Sequence, residues 1–182
     1  AIYEGSFGHD DYVDQEALAR IRAPEAQQIA TGAGILVAVI DTGADLDHPD
    51  LVDNLVPGID FVDEDNDPSD LPNNIDDDQD GVVDEATGHG THVAGIVAAV
   101  APAASILPVR VLDSDGIGDA FDVARGIYFA MDAGADVINL SLGLDATVKA
   151  VKRGIDEARD RGILVVTSAG GKPFAQKDAK RL

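Results

Sequence analysis

The chain of 182 residues has no cysteine, which excludes disulfides, thiolate metal sites and cysteine nucleophiles. No apolar run approaches the roughly 20 residues that a membrane helix needs. The opening stretch AIYEGSFGHDDY has neither the basic nor the apolar segment of a secretory signal, so the chain reads as soluble, with no membrane partner. Basic residues are scarce: 13 Lys and Arg stand against 34 Asp and Glu, for a formal charge of −21. Such a surface repels nucleic-acid phosphates and anionic lipid and attracts cations, so nucleic acid is excluded as a partner. Between Ala23 and Val109 there is no Lys or Arg at all.

What is present fits a single packed domain: 45% of the residues are hydrophobic and 26% charged. Apolar runs rich in β-branched residues at 35–40, 105–111, 136–140 and 163–167 are short and nearly continuous, as strands buried on both faces are. Between them, 89–100, 120–133 and 146–161 place apolar residues at helical spacing, with Gly134 and Gly162 as stops. Alternating strands and helices predict an α/β fold, a three-layer arrangement of a parallel β-sheet flanked by helices. A helix over 14–30, broken at Pro24, is expected to pack alongside. The expected organisation is an N-terminal helical segment over 1–30, a core over 31–171 carrying an acidic insertion at 60–85, and a basic tail over 172–182.

In a parallel sheet of this kind, functional groups collect at the carboxyl ends of the strands. Asp41, in VAVIDTGADLDHPDL, falls at such a tip. It reads either as a solvated turn residue or as a catalytic carboxylate. The DTGA tetrad also occurs in proteases where two aspartates share a proton, but those are antiparallel β proteins and the helices here argue against them. His89, in GHGTHVAG, opens a helix directly after a loop. With a strand-end aspartate to hold its ring, it has the makings of the base half of a nucleophilic triad. His92 is expected to pack inside, beside Val93 and Ile96.

The insertion carries ten Asp and two Glu in 26 residues, a density of like charge that calls for a cation or an extended loop. In IDDDQDGVVDEATG, Asp76, Asp78, Asp80 and Asp84, with the carbonyl of Val82, fall at calcium-loop spacing. Thr87 takes the place of the usual closing glutamate. Hard oxygen donors at this density favour Ca2+. Asp60, Asp63, Asp65 and Asp67 are a candidate second, weaker site, and a disordered acidic loop is the alternative for the whole segment.

The motifs VAVIDTGADLDHPDL, GHGTHVAGIVAA, VRVLDSDGIG, DVINLSLG and GILVVTSAG, in this order and spacing, resemble the subtilisin-like serine proteases, the subtilase family. The resemblance implies a subtilisin-like fold and peptide-bond hydrolysis by an Asp/His/Ser triad. By position it makes Asp41 the residue that orients the base and His89 the general base. Ser141, Leu142 and Gly143 become one wall of a cleft for an extended polypeptide substrate. Leu112, Gly116 and Gly118 form the opposite edge, and Ser168, Ala169 and Gly170 the floor of the primary pocket.

Two departures accompany the match. Gly171 stands where the family places the asparagine that donates to the oxyanion, a donor whose loss lowers turnover by about 10²–10³. The GTSMA-type motif that carries the nucleophile is absent, and the serines at 6, 69, 105, 114, 141 and 168 have no such context. The expectation is therefore a subtilase domain truncated at its C-terminus, completed by a complementary C-terminal segment. The alternative is an inactive module that binds calcium or a peptide in the preserved cleft. The family also implies secretion, with calcium supplied outside the cell, and a propeptide partner.

Overall fold

In the computed structural model, residues 16–143 and 148–168 are described. The apolar runs form β1 (Leu36–Asp41), β3 (Ser105–Arg110), β4 (Val137–Leu140) and β5 (Leu164–Thr167), and a short strand, β2 (Ile59–Asp60), joins them. All pair in parallel in the order β2-β3-β1-β4-β5. The helices are α1 (Glu16–Arg20), α2 (Ala23–Gln27), α3 (His89–Val100), α4 (Ala120–Asp132) and α5 (Lys149–Asp160).

Alternation along each strand divides the core into two layers. Ala38 and Ile40 of β1 join Val109, Ile138 and Leu140 beneath Val123 and Ile127 of α4 and Val151 of α5. Val39 turns the other way and packs with Ile106 and Leu51 against Val93, Ala94 and Ala98 of α3. Both faces of the central strands are thus covered, which is why these segments read as continuous apolar runs.

β5 departs from that expectation. It pairs with β4 at the sheet edge and packs on α5, yet Leu164 is 61% and Val166 43% exposed. Among the described residues nothing covers the second face there. The N-terminal helix also differs. Its break falls at Arg22, which has a φ of 61°, and Pro24 opens α2 rather than interrupting a longer helix. Leu18 and Ala23 rest on Ala99 of α3, and the Gln27 side-chain amide donates to the Ala99 carbonyl at 2.8 Å.

Candidate active site

Asp41 ends β1 at the carboxyl edge of the sheet and is fully buried. Its Oδ1 accepts the Thr42 N–H at 2.8 Å and meets His89 Nδ1 at 2.7 Å. Its Oδ2 is buried with no hydrogen-bond partner among the described residues, so the only side chain hydrogen-bonded to the carboxylate is the imidazole. His89 is the first residue of α3, and its side chain is 45% exposed. One ring nitrogen is therefore held by the buried carboxylate in a side chain that is itself nearly half exposed. The hydrogen bond to Asp41 raises the imidazole's pKa above its ordinary 6.5, partial burial opposes the rise, and the charges of Asp41 and Asp70 add to it.

The approach of α3 to β1 depends on small residues and a backbone clasp. A β-carbon on Gly90 would lie 2.2 Å from the Gly43 carbonyl oxygen. The Gly90 N–H donates to Thr42 Oγ1 at 2.9 Å, so the residue after Asp41 is tied to the residue after His89. His92 corrects the sequence reading: it is exposed, on the same outward helix face as Ile96 and Val100, which are also exposed.

The two expected cleft edges flank Asp41, because β3 and β4 are the neighbours of β1. On the β3 side the Leu112 N–H donates to the Asp41 carbonyl at 3.3 Å. Gly116 closes the following turn, its N–H on the Asp113 carbonyl at 3.1 Å. Gly118 lies against the backbone, where an added β-carbon would fall 2.2 Å from the Val111 carbonyl oxygen. On the β4 side Ser141 donates to the Asn139 side-chain oxygen at 2.8 Å. Leu142 packs on the core and Gly143 is exposed. Ser168 reaches across from the end of β5, its hydroxyl on the Leu142 carbonyl at 3.2 Å. Ala169, Gly170 and Gly171 lie outside the described residues.

No described serine hydroxyl hydrogen-bonds His89. Ser69 donates to Asp67, Ser141 and Ser168 are engaged as above, and the Ser114 hydroxyl is buried beside the Asp84 carboxylate.

In the acidic segment, carboxylate oxygens of Asp76, Asp78 and Asp80 lie within 4.8 Å of one another. Backbone donors wrap the loop around them: Asp80 N–H on Asp76 and Asp78, Gly81 N–H on Asp76, and Val82 N–H on Asp80, all between 2.8 and 3.0 Å. Asp84 is not brought into this group. Its carboxylate accepts the N–H groups of Asn73 and Asn74, and the Val82 side chain is exposed. The loop is tied to the β3-side edge by Asp77 N–H on Asp115 Oδ2 at 2.5 Å and Ala86 N–H on the Ser114 carbonyl at 2.9 Å. Partial desolvation, together with Asp77 and Asp115, holds the Asp113 carboxyl above its usual value, as expected where acids outnumber cations.

The candidate second calcium site does not assemble. Asp60, 2% exposed, and Asp63 both accept from Arg110, a cation that lies outside the insertion in sequence. Asp65 and Asp67 instead accept local donors, from Asp67 N–H and from Ser69.

The profile of the subtilase family matches residues 32–181. The chain belongs to the subtilase family. It is 44% identical over 161 residues to thermitase of Thermoactinomyces vulgaris, covering 83% of this chain and 52% of that protein. It is 40% identical over 163 residues to subtilisin E of Bacillus subtilis (strain 168), covering 84% and 39%. Among solved structures it resembles the crystal structure of a lanthipeptide protease, with a TM-score of 0.71 and 31% identity over 86% of this chain and 45% of that one. A cold-adapted subtilisin-like serine proteinase aligns with a TM-score of 0.63 and 30% identity over 78% and 48%. The subtilase chain thus spans about half the length of these curated relatives or less.

Proposed function

We propose that this subtilase domain carries the base half of a serine endopeptidase site. The observation that carries the reading is the 2.7 Å contact between Asp41 Oδ1 and His89 Nδ1, at the carboxyl edge of the sheet between the two cleft edges. With Nδ1–H donating to Asp41, Nε2 is left as the acceptor. His89 takes the proton of a serine hydroxyl as its oxygen attacks the peptide carbonyl, then returns it to the amine that leaves. Water hydrolyses the acyl-enzyme by the same relay. Asp41 fixes the tautomer and stabilises the imidazolium. The nucleophile is a serine outside the described residues.

Leu112, Gly116 and Gly118 on one side, with Ser141, Leu142 and Gly143 on the other, form the cleft for an extended polypeptide, and Ser168, Ala169 and Gly170 its pocket floor. Main-chain pairing at such edges gives affinity, and side-chain pockets give selectivity.

The donor set of the acidic loop fits Ca2+. Asp76, Asp78 and Asp80 are the carboxylate ligands, with the Val82 carbonyl beside them. Asp84 serves the loop through the Asn73–Asn74 turn. A bound ion would neutralise the cluster and stabilise the segment leading into His89. Relatives named as extracellular, such as the minor extracellular protease Vpr of Bacillus subtilis, support secretion, where calcium is plentiful.

The test is cleavage of casein at internal peptide bonds by the product of the whole gene, followed by mass spectrometry in the presence of calcium. The reading predicts cleavage that His89→Ala removes. Peptide or calcium binding without turnover would instead identify an inactive module.

A further inference from the structure

We propose that Asp70, in the first half of the acidic segment, is the positioning residue that sets the Asp41–His89 pair in register. The proposal rests on the reading of that pair as catalytic, but its geometry stands independently. The first turn of a helix leaves N–H groups that need acceptors. α3 begins after Gly88, which offers no side-chain cap, and has no acid of its own in that turn. Asp70 supplies what is missing from outside the helix. Its Oδ1 accepts the Gly88 N–H at 3.0 Å, and its Oδ2 accepts both the Thr91 N–H at 3.1 Å and the Thr91 hydroxyl at 2.7 Å. These contacts bracket His89. Asp70 is 6% exposed, and its carboxylate lies at the positive end of the α3 dipole.

The same residue also grips the Asp41 side. The Ala44 N–H donates to the Pro68 carbonyl at 2.9 Å and the Asp70 N–H to the Ala44 carbonyl at 3.0 Å, a parallel bridge between the loop after β1 and the 68–70 stretch. Thr91 Oγ1 completes the link by accepting the Asp45 N–H at 2.9 Å. Asp70 therefore joins the loop that follows the carboxylate to the helix that carries the imidazole, through contacts on both. A residue acting only as a helix cap would not need the Ala44 bridge. The charged groups that face the imidazole are Asp41 from β1 and Asp70 from the acidic segment, so removing Asp70 alters both the placement and the field of His89.

The experiment is an NMR titration of His89 in the full chain, reading the midpoint of the imidazole and the hydrogen-bonded Nδ1–H resonance. In Asp70→Ala the midpoint is expected to fall toward 6.5 and the Nδ1–H resonance to broaden through exchange with water. Thr91→Val is expected to do the same more weakly, whereas Thr91→Ser, which keeps the hydroxyl, retains the parent behaviour. Ile127→Val, a core change distant in sequence, lowers stability without moving either signal, which separates positioning from a general loss of stability. Should Asp70→Ala fail to fold, Asp70→Asn and Thr91→Val give the same readings. A folded Asp70→Ala, or failing it a folded Asp70→Asn, with the parent midpoint and resonance would overturn the proposal. No substrate is needed, so the result is independent of whether the pair hydrolyses peptides.

Discussion

Gly90 stands so close to Gly43 that a β-carbon on it would fall 2.2 Å from the Gly43 carbonyl oxygen and 3.0 Å from its amide nitrogen. Both obstacles are backbone atoms, so a side chain there has to push α3 away from the tip of β1. Gly90→Ala is expected to cost about 1–3 kcal/mol, the range for overpacking a tight contact. It also separates His89 from Asp41. Denaturant unfolding gives the first quantity, and loss of the Nδ1–H resonance reports the second.

The Asp41–His89 bond gives stability a definite pH dependence. His89 has a folded-state pKa above its ordinary 6.5, so its contribution is fully present below 6.5 and is lost as the pH rises through the folded value. The melting temperature should fall across that window, and the fall should flatten in His89→Asn. Hydrolysis runs the opposite way, because the base acts as neutral imidazole. The rate is expected to climb through the raised pKa, and Asp41→Asn should move that limb to lower pH while reducing its height.

Arg110 is the partner that allows Asp60 to be buried. In Arg110→Met the carboxylate of Asp60 loses its counter-charge inside the fold, and breaking a buried pair in this way costs about 3–5 kcal/mol. Asp60→Leu combined with Arg110→Met should recover much of the loss. Unfolding free energies for the two single variants and the double variant form the cycle that checks this.

Calcium should raise the melting temperature and a chelator should lower it again. At 100-fold excess over the dissociation constant, mass action gives about 2.7 kcal/mol. Asp78→Ala removes a member of the Asp76, Asp78 and Asp80 cluster and should abolish the calcium response, as read by calorimetry. An unchanged response in that variant would place the ion elsewhere.

The sheet and its helices were legible because burial on both faces leaves an unbroken apolar run. The start of α3 was marked by Gly88, and Asp41 and His89 by the strand tip and helix start they occupy. Other features depend on contacts that no local pattern carries. β2, only Ile59–Asp60, is too short to show a period. The apolar run of β5 is the same whether one face or two are covered. Asp70 was one aspartate among ten in its segment, and only its contacts with Gly88, Thr91 and Ala44 distinguish it. Asp60 and Asp63 resembled metal ligands because Arg110, 50 and 47 residues away, gives no sign in sequence of turning toward them. His92 beside Val93 suggested burial, but neighbours in sequence lie on different faces of a helix.

The central claim is that His89 activates a serine. The most direct measurement is labelling of the folded, calcium-loaded product of the whole gene with a fluorophosphonate, which reacts with a serine made nucleophilic by a neighbouring base, followed by mass spectrometry of the labelled peptide. The account predicts one labelled serine, outside the described residues, and loss of the label in His89→Ala. No label on the parent protein, or undiminished label in His89→Ala, would contradict it.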